Sequence, residues 1–220
     1  MAIDASLQRL KTGYLDLVKF HTNRHPVEKS DGVFEAFSEA YKVGKIGAFG
    51  WSNDDPNGAT AFMCLDGFIA IQHDLNVFAP AKNMLSLIEN NSLWSFNRQP
   101  LAMGLLSGKY HGKTPRVGEN DMRSSGLSWM RYFNSEGAPS KELVVAVERI
   151  RELLTYDGRT VAQGALGWCL AQSDRTIPLP GCRTPTQARD NFGVLERGQL
   201  DLEIVNNINE ILSDLQQTAV

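Results

Sequence analysis

The sequence predicts an α/β fold, a parallel sheet with helices outside it, on three observations. Short unbroken apolar runs recur along the chain, amphipathic helical stretches separate them, and strand and helix alternate through about five units. Parallel strands are covered on both faces, so they read as continuous apolar runs rather than alternating ones.

The first run, LDLVKF at 15–20, ends against His21. A helix over 33–45 follows, with Val33, Phe34, Phe37, Ala40 and Tyr41 on one face and Gly44 as its stop. IGAFG at 46–50 is the second strand, with a short helix near 57–66 behind it. FIAIQH at 68–73 is the third, followed by a helix around 84–91, and LWSFN at 93–97 is the fourth. A polar, Gly-rich stretch over 111–137 carries tryptophan and arginine and reads as a lid, because a loop of that length is unusual unless functional. Ser140 and Thr160 are set to cap two further helices, and TIPL at 176–179 is the fifth strand. Thr184 followed by Pro185 opens the next helix, and the last begins near Asp201 with Ile204, Ile208, Ile211, Leu212 and Leu215 on its apolar face.

Composition narrows the function. A chain of 220 residues with 42% hydrophobic content suits a single domain over 1–220 with a substantial core. A net charge of −3 gives no reason to expect nucleic acid or an anionic membrane as partner. No apolar run is long enough to span a bilayer, and the opening MAIDASLQRLK lacks the layout of a signal peptide. Cys64, Cys169 and Cys182 are odd in number and widely spaced, which argues against a disulfide framework or zinc site and for a cytoplasmic setting.

Several familiar motifs are excluded. No Gly-x-Gly-x-x-Gly follows a strand, and GLLSGK is one residue short of a phosphate loop, with Tyr110 where Ser or Thr should stand. His21 and His25 straddle a strand end instead of riding one helix, so no metal site is expected. No Gly-x-Ser-x-Gly elbow is present. What remains is the set of strand ends: His21, then Ser52 and Asn53, then Gln72, then Asn97 and Arg98, then Arg183. Ligands of parallel α/β folds gather at that rim, so five polar ends point to a polar ligand there.

SLQRLKTGYLDLVKFH, GKIGAFGWSN, IQHDLNVF, QPLAMGLLSGKY, TVAQGALGWCLAQ and IPLPGCRTPTQARDN stand in the order of corresponding segments of the aldo-keto reductases. The chain resembles that family from about residue 6 onward. The resemblance implies a partial (β/α) TIM-type barrel, NADPH as cofactor and carbonyl reduction by hydride transfer. It makes His21 the catalytic histidine that orients the substrate carbonyl. Ser52, Asn53 and Gln72 become the groups that hold the nicotinamide carboxamide. Arg98 stands where the family often stacks an aromatic residue, and Leu101 joins it on the cofactor side. Gly181, Cys182 and Arg183 form the phosphate turn, with Arg183 placed for the 2′-phosphate. Gln187, Asp190 and Asn191 line the adenosine end.

The family's catalytic aspartate, tyrosine and lysine have no match: no Asp-x-x-x-x-Tyr followed by a strand-end lysine is found, and the histidine strand comes first. The resemblance is thus to an N-terminally truncated member, starting in the helix before barrel strand four. Weak or absent turnover is expected, with His21 as surrogate acid. The alternative is a non-catalytic, nucleotide-binding or self-associating partial barrel. Exposed sheet edges at 15–20 and 176–179 predict a homo-oligomer. A small carbonyl compound is the expected substrate class.

Overall fold

The computed structural model describes residues 2–22, 25–110, 116–118, 120–127 and 129–218. Parts of the expected lid, residues 111–115, 119 and 128, lie outside the described residues. The fold is α/β, with five parallel strands in the order β1-β2-β3-β4-β5 and helices around them. The strands are β1 (Val18–His21), β2 (Phe49–Ser52), β3 (Phe68–Asp74), β4 (Trp94–Arg98) and β5 (Thr176–Pro178). Because spatial order follows chain order, β1 and β5 are the two edges.

The contacts divide the chain into two compact units. The sheet unit comprises residues up to 74, 81–97 and 175–177; the helical unit comprises 75–80, 98–174 and 178–220.

In the sheet unit, helices α1 (Ala2–Leu10), α2 (Asp31–Lys42), α3 (Pro56–Thr60) and α4 (Lys82–Asn90) accompany the strands. The core is aromatic: Phe34 and Phe62 stack at 4.0 Å, and Phe34 meets Trp51 at 5.5 Å and Phe20 at 5.9 Å. Ile46, Phe49, Ile71 and Ile88 complete it. Each such side chain contributes about 1.5–3 kcal/mol when buried, which makes this cluster the main support of the sheet.

Register assigns the faces. Phe20 is paired with Trp51, and both turn toward α2. Strand side chains alternate, so Lys19 and His21 occupy the opposite face, in register with Gly50 and Ser52. Gly50 and Ser52 pair in turn with Ala70 and Gln72. A bulge between Phe49 and Gly50 keeps this register, and a Cβ on Gly50 would stand 2.0 Å from the Ala70 carbonyl oxygen.

Several sequence boundaries need correction. The strand expected over 15–20 is Val18–His21, because Leu15 makes only an isolated bridge to Ile46 before pairing lapses at 16–17. For the same reason the second strand starts at Phe49 and runs to Ser52 instead of covering 46–50. The third extends to Asp74, which places Gln72 inside the strand instead of at its end. The helix near 57–66 shortens to Pro56–Thr60 and gives way to turns that end at Gly67, whose φ of +89° suits glycine.

In the helical unit, α5 (Lys141–Leu154), α7 (Pro185–Phe192) and α8 (Val194–Arg197) pack against α6 (Val161–Leu170), which is buried almost all round, and α9 (Leu202–Thr218) packs against α5. Gly164 admits the Leu154 carbonyl so closely that a Cβ there would lie 1.9 Å from its oxygen. Ser140 caps α5 through the Leu143 N–H, and Thr160 with Gln163 forms a reciprocal capping box on α6. Arg159 is buried and donates to the carbonyls of Gly198 (2.7 Å), Arg197 (3.0 Å) and Gln199 (3.2 Å), satisfying the end of α8. None of the helices in the described residues is long and apolar enough to cross a membrane.

Candidate functional site

Three of the expected site residues share one row of the sheet unit. His21 is paired with Ser52 and Ser52 with Gln72, so imidazole, hydroxyl and amide lie side by side on the face opposite α2. Neighbouring strands stand about 4.8 Å apart, which spans roughly 10 Å across the row. His21 is exposed, Gln72 is half-buried and Ser52 is buried.

Asn53 continues the row at the strand end. Its N–H donates to the Gln72 carbonyl at 2.9 Å, and its Oδ1 accepts from the Asp55 N–H at 3.0 Å. The Asp55 carboxylate caps α3 through the Asn57 N–H. Neither the Asn53 Nδ2 nor the Gln72 side-chain amide takes part in these local bonds.

On the helix-facing side, His73, Ser95 and Asn97 form a buried polar chain. His73 Nε2 lies 2.7 Å from Ser95 Oγ, His73 Nδ1 lies 3.0 Å from the Asp74 carbonyl, and Asn97 Nδ2 donates to Ser95 Oγ at 2.7 Å. Asn97, one of the expected rim groups, is thus turned into this network.

Residues on the helical unit form a second group. Arg98 ends β4 and its carbonyl accepts from the Leu75 N–H at 3.2 Å; Leu101 is buried. Gly181, Cys182 and Arg183 form an exposed turn before α7. Thr184 caps that helix through the Gln187 N–H, and the Gln187 side-chain carbonyl accepts from the Arg183 N–H at 2.8 Å. Asp190 accepts from Thr160 Oγ1 at 3.0 Å and from Gln163 Nε2 at 3.2 Å, tying α7 to α6, and Asn191 is buried. Of the residues expected at the adenosine end, Asp190 ties two helices together and Asn191 lies in the interior of the unit.

The Arg183 guanidinium is 82% exposed, with the Asp121 carboxylate 3.7 Å away. Asp121 is itself forked onto Arg123 through bonds of 2.8 and 2.7 Å, which hold its carboxyl far below the usual carboxylate range. Arg123 also donates to the Met103 carbonyl at 3.0 Å. Lys109, Tyr110, Arg116, Asp121 and Arg123 line a cavity of about 330 Å³. Tyr132 is a packing residue: it is buried against Phe78, and its hydroxyl accepts from Asn76 Nδ2 at 2.9 Å.

Two features escaped the sequence reading. The Asp121–Arg123 fork depends on a loop conformation that no periodicity encodes. Lys19 was legible in principle, since it stands two residues before His21 in a strand and so shares its face.

The fold is α/β with five parallel strands and surrounding helices, and comparison with known proteins establishes the family. The model of the aldo/keto reductase family matches residues 1–213, and the chain belongs to that family. Among curated relatives, it is 30% identical over 203 residues to the aldo-keto reductase yakc [NADP(+)] of Schizosaccharomyces pombe, covering 89% of this chain and 56% of that protein. It is 28% identical over 215 residues to the aldo-keto reductase YhdN of Bacillus subtilis, covering 96% and 62%. Among solved structures, the glycerol dehydrogenase AKR11B4 of Gluconobacter oxydans superposes with a TM-score of 0.75 at 25% identity, over 97% of this chain and 63% of that one. The holo form of aldo-keto reductase AKR11C1 from Bacillus halodurans gives 0.71 at 24% identity, over 96% and 65%, and supports the fold. The chain thus spans less than two thirds of the length of these relatives.

Proposed function

We propose that residues 1–220 act as one cytoplasmic aldo-keto reductase domain that binds NADPH and reduces small aldehydes or ketones weakly. The observation that carries this reading is the His21–Ser52–Gln72 row, in which adjacent strands present the groups needed at a carbonyl and a carboxamide. The residues fit the nucleotide. The Gln72 amide and Asn53 Nδ2 are the right donors and acceptors for a carboxamide. The exposed Arg183, already drawing one carboxylate, suits a 2′-phosphate and favours NADPH over NADH. The relative whose name carries NADP(+) agrees with this preference.

Ser52, Asn53, Gln72 and Arg98 would hold the nicotinamide end. Leu101, Gly181, Cys182, Arg183, Gln187, Asp190 and Asn191 would hold the phosphate and adenosine end. When bound, the nicotinamide supplies hydride. His21 hydrogen-bonds the substrate carbonyl oxygen and delivers the proton that it needs, acting as the general acid. With no matched aspartate, tyrosine and lysine in this chain, that single donor makes turnover slow.

The second reading, a nucleotide binder without turnover, rests on the same absence. Both readings include self-association through β1 and β5, the edges of the sheet, with light scattering as the check. The decisive assay follows NADPH oxidation with a panel of small aldehydes and ketones. Under the reductase reading, His21→Gln lowers turnover by about 10² or more while NADPH affinity stays unchanged. Saturable NADPH binding with no turnover would instead establish the second reading.

A further inference from the structure

On the sheet face that carries His21, the next row along the strands is Lys19–Gly50–Ala70. Its two inner members are a buried glycine and a buried alanine, so Lys19 carries the one long side chain of the row. Lys19 extends from β1, and its Nζ rests 4.4 Å from the centroid of the Phe96 ring on β4. Among the described residues no carboxylate pairs with this amine. The lysine is partly buried, and burial alone pushes its pKa below the ordinary lysine value. The aromatic face favours the protonated amine and so opposes the effect of burial.

We propose that Lys19 captures small aldehydes and ketones covalently as an imine, a second carbonyl chemistry on this face that needs no nicotinamide. The uncharged Nζ attacks the carbonyl carbon, a C–N bond forms as the C=O π bond breaks, and one proton passes from the nitrogen to the oxygen through solvent to give a carbinolamine. The carbinolamine hydroxyl then accepts one further proton and leaves as water while the nitrogen lone pair forms the C=N bond, giving a protonated imine on Lys19 that releases its N–H proton to solvent. His21 stands two residues on, about 6.6 Å along the same face, and supplies that further proton. Partial burial favours the neutral amine that imine formation requires, and no carboxylate among the described residues competes for Nζ.

The test incubates the whole chain with propionaldehyde and sodium cyanoborohydride at neutral pH and reads alkylation of each lysine by peptide mass spectrometry. Lys19 should be labelled about five-fold faster or more than the exposed Lys11 and Lys141. That advantage should vanish in urea, where all lysines share one environment. His21→Asn should slow labelling at Lys19 severalfold and leave Lys141 unchanged. Labelling of Lys19 no faster than that of exposed lysines in the folded wild type would overturn the proposal. An undiminished rate in His21→Asn would remove His21 from it. Because no nicotinamide is present, neither result bears on the reductase reading.

Discussion

The two units hold their functional groups by different means. In the sheet unit, His21, Ser52 and Gln72 are aligned by backbone register alone, and an aromatic cluster on the far face keeps that register in place. In the helical unit, Arg183, Asp121 and Arg123 are placed by side chains that bridge loops and helix ends. The difference teaches where each half is fragile. Displacing one strand disturbs a whole row at once, whereas the helical unit can lose one bridge at a time.

The largest effects expected are those of two glycine substitutions. Gly50→Ala drives a methyl group into the Ala70 carbonyl, and the backbone on both strands must give way. Gly164→Ala does the same to the α5–α6 contact at Leu154. Each should destabilise by about 3 kcal/mol or more in urea unfolding. The comparison makes them differ in site behaviour: Gly50→Ala should also perturb the amide resonances of Ser52 and Gln72, and Gly164→Ala should leave them in place.

Arg159→Met comes next. It leaves the carbonyls of Arg197, Gly198 and Gln199 without their shared donor, at a cost of about 2–4 kcal/mol by the same measurement. Should the loss fall below 1 kcal/mol (about one weak hydrogen bond), the view that long-range bridges hold this unit would fail.

Asp121→Asn should cost about 1 kcal/mol at neutral pH, since its ion pair with Arg123 is partly open to solvent. The sign with pH is fixed by the depressed carboxyl. Its stabilisation is fully present above the ordinary carboxylate range and drains away as pH falls through the lowered value. The gap between variant and wild type should therefore close in acid, which a pH series of melting temperatures would show. Thr160→Ala, which breaks the capping box of α6, should cost about 1 kcal/mol with no such pH dependence near neutrality.

How much of this was legible follows from the same contrast. Strand–helix alternation revealed the sheet, its edges and the caps at Ser140, Thr160 and Thr184, because those features are local in sequence. Strand limits were misread near residues 15 and 46, where apolar side chains continue though pairing lapses. The His21–Ser52–Gln72 row was visible only as three separate strand ends, since register depends on the bulge at Gly50. Arg159 and the Asp121–Arg123 fork were invisible: one acts across 38 to 40 residues, the other within a loop without periodicity.

The most direct test of the account is an equilibrium titration of the whole chain with NADPH, followed by nicotinamide fluorescence with NADH alongside, in the wild type, Gln72→Ala and Arg183→Ala. Saturable binding, tighter for NADPH than for NADH, weakened in both variants and with the preference for NADPH lost in Arg183→Ala, is the expected result. No saturation at high nucleotide concentration, or equal affinity in all three proteins, would contradict it.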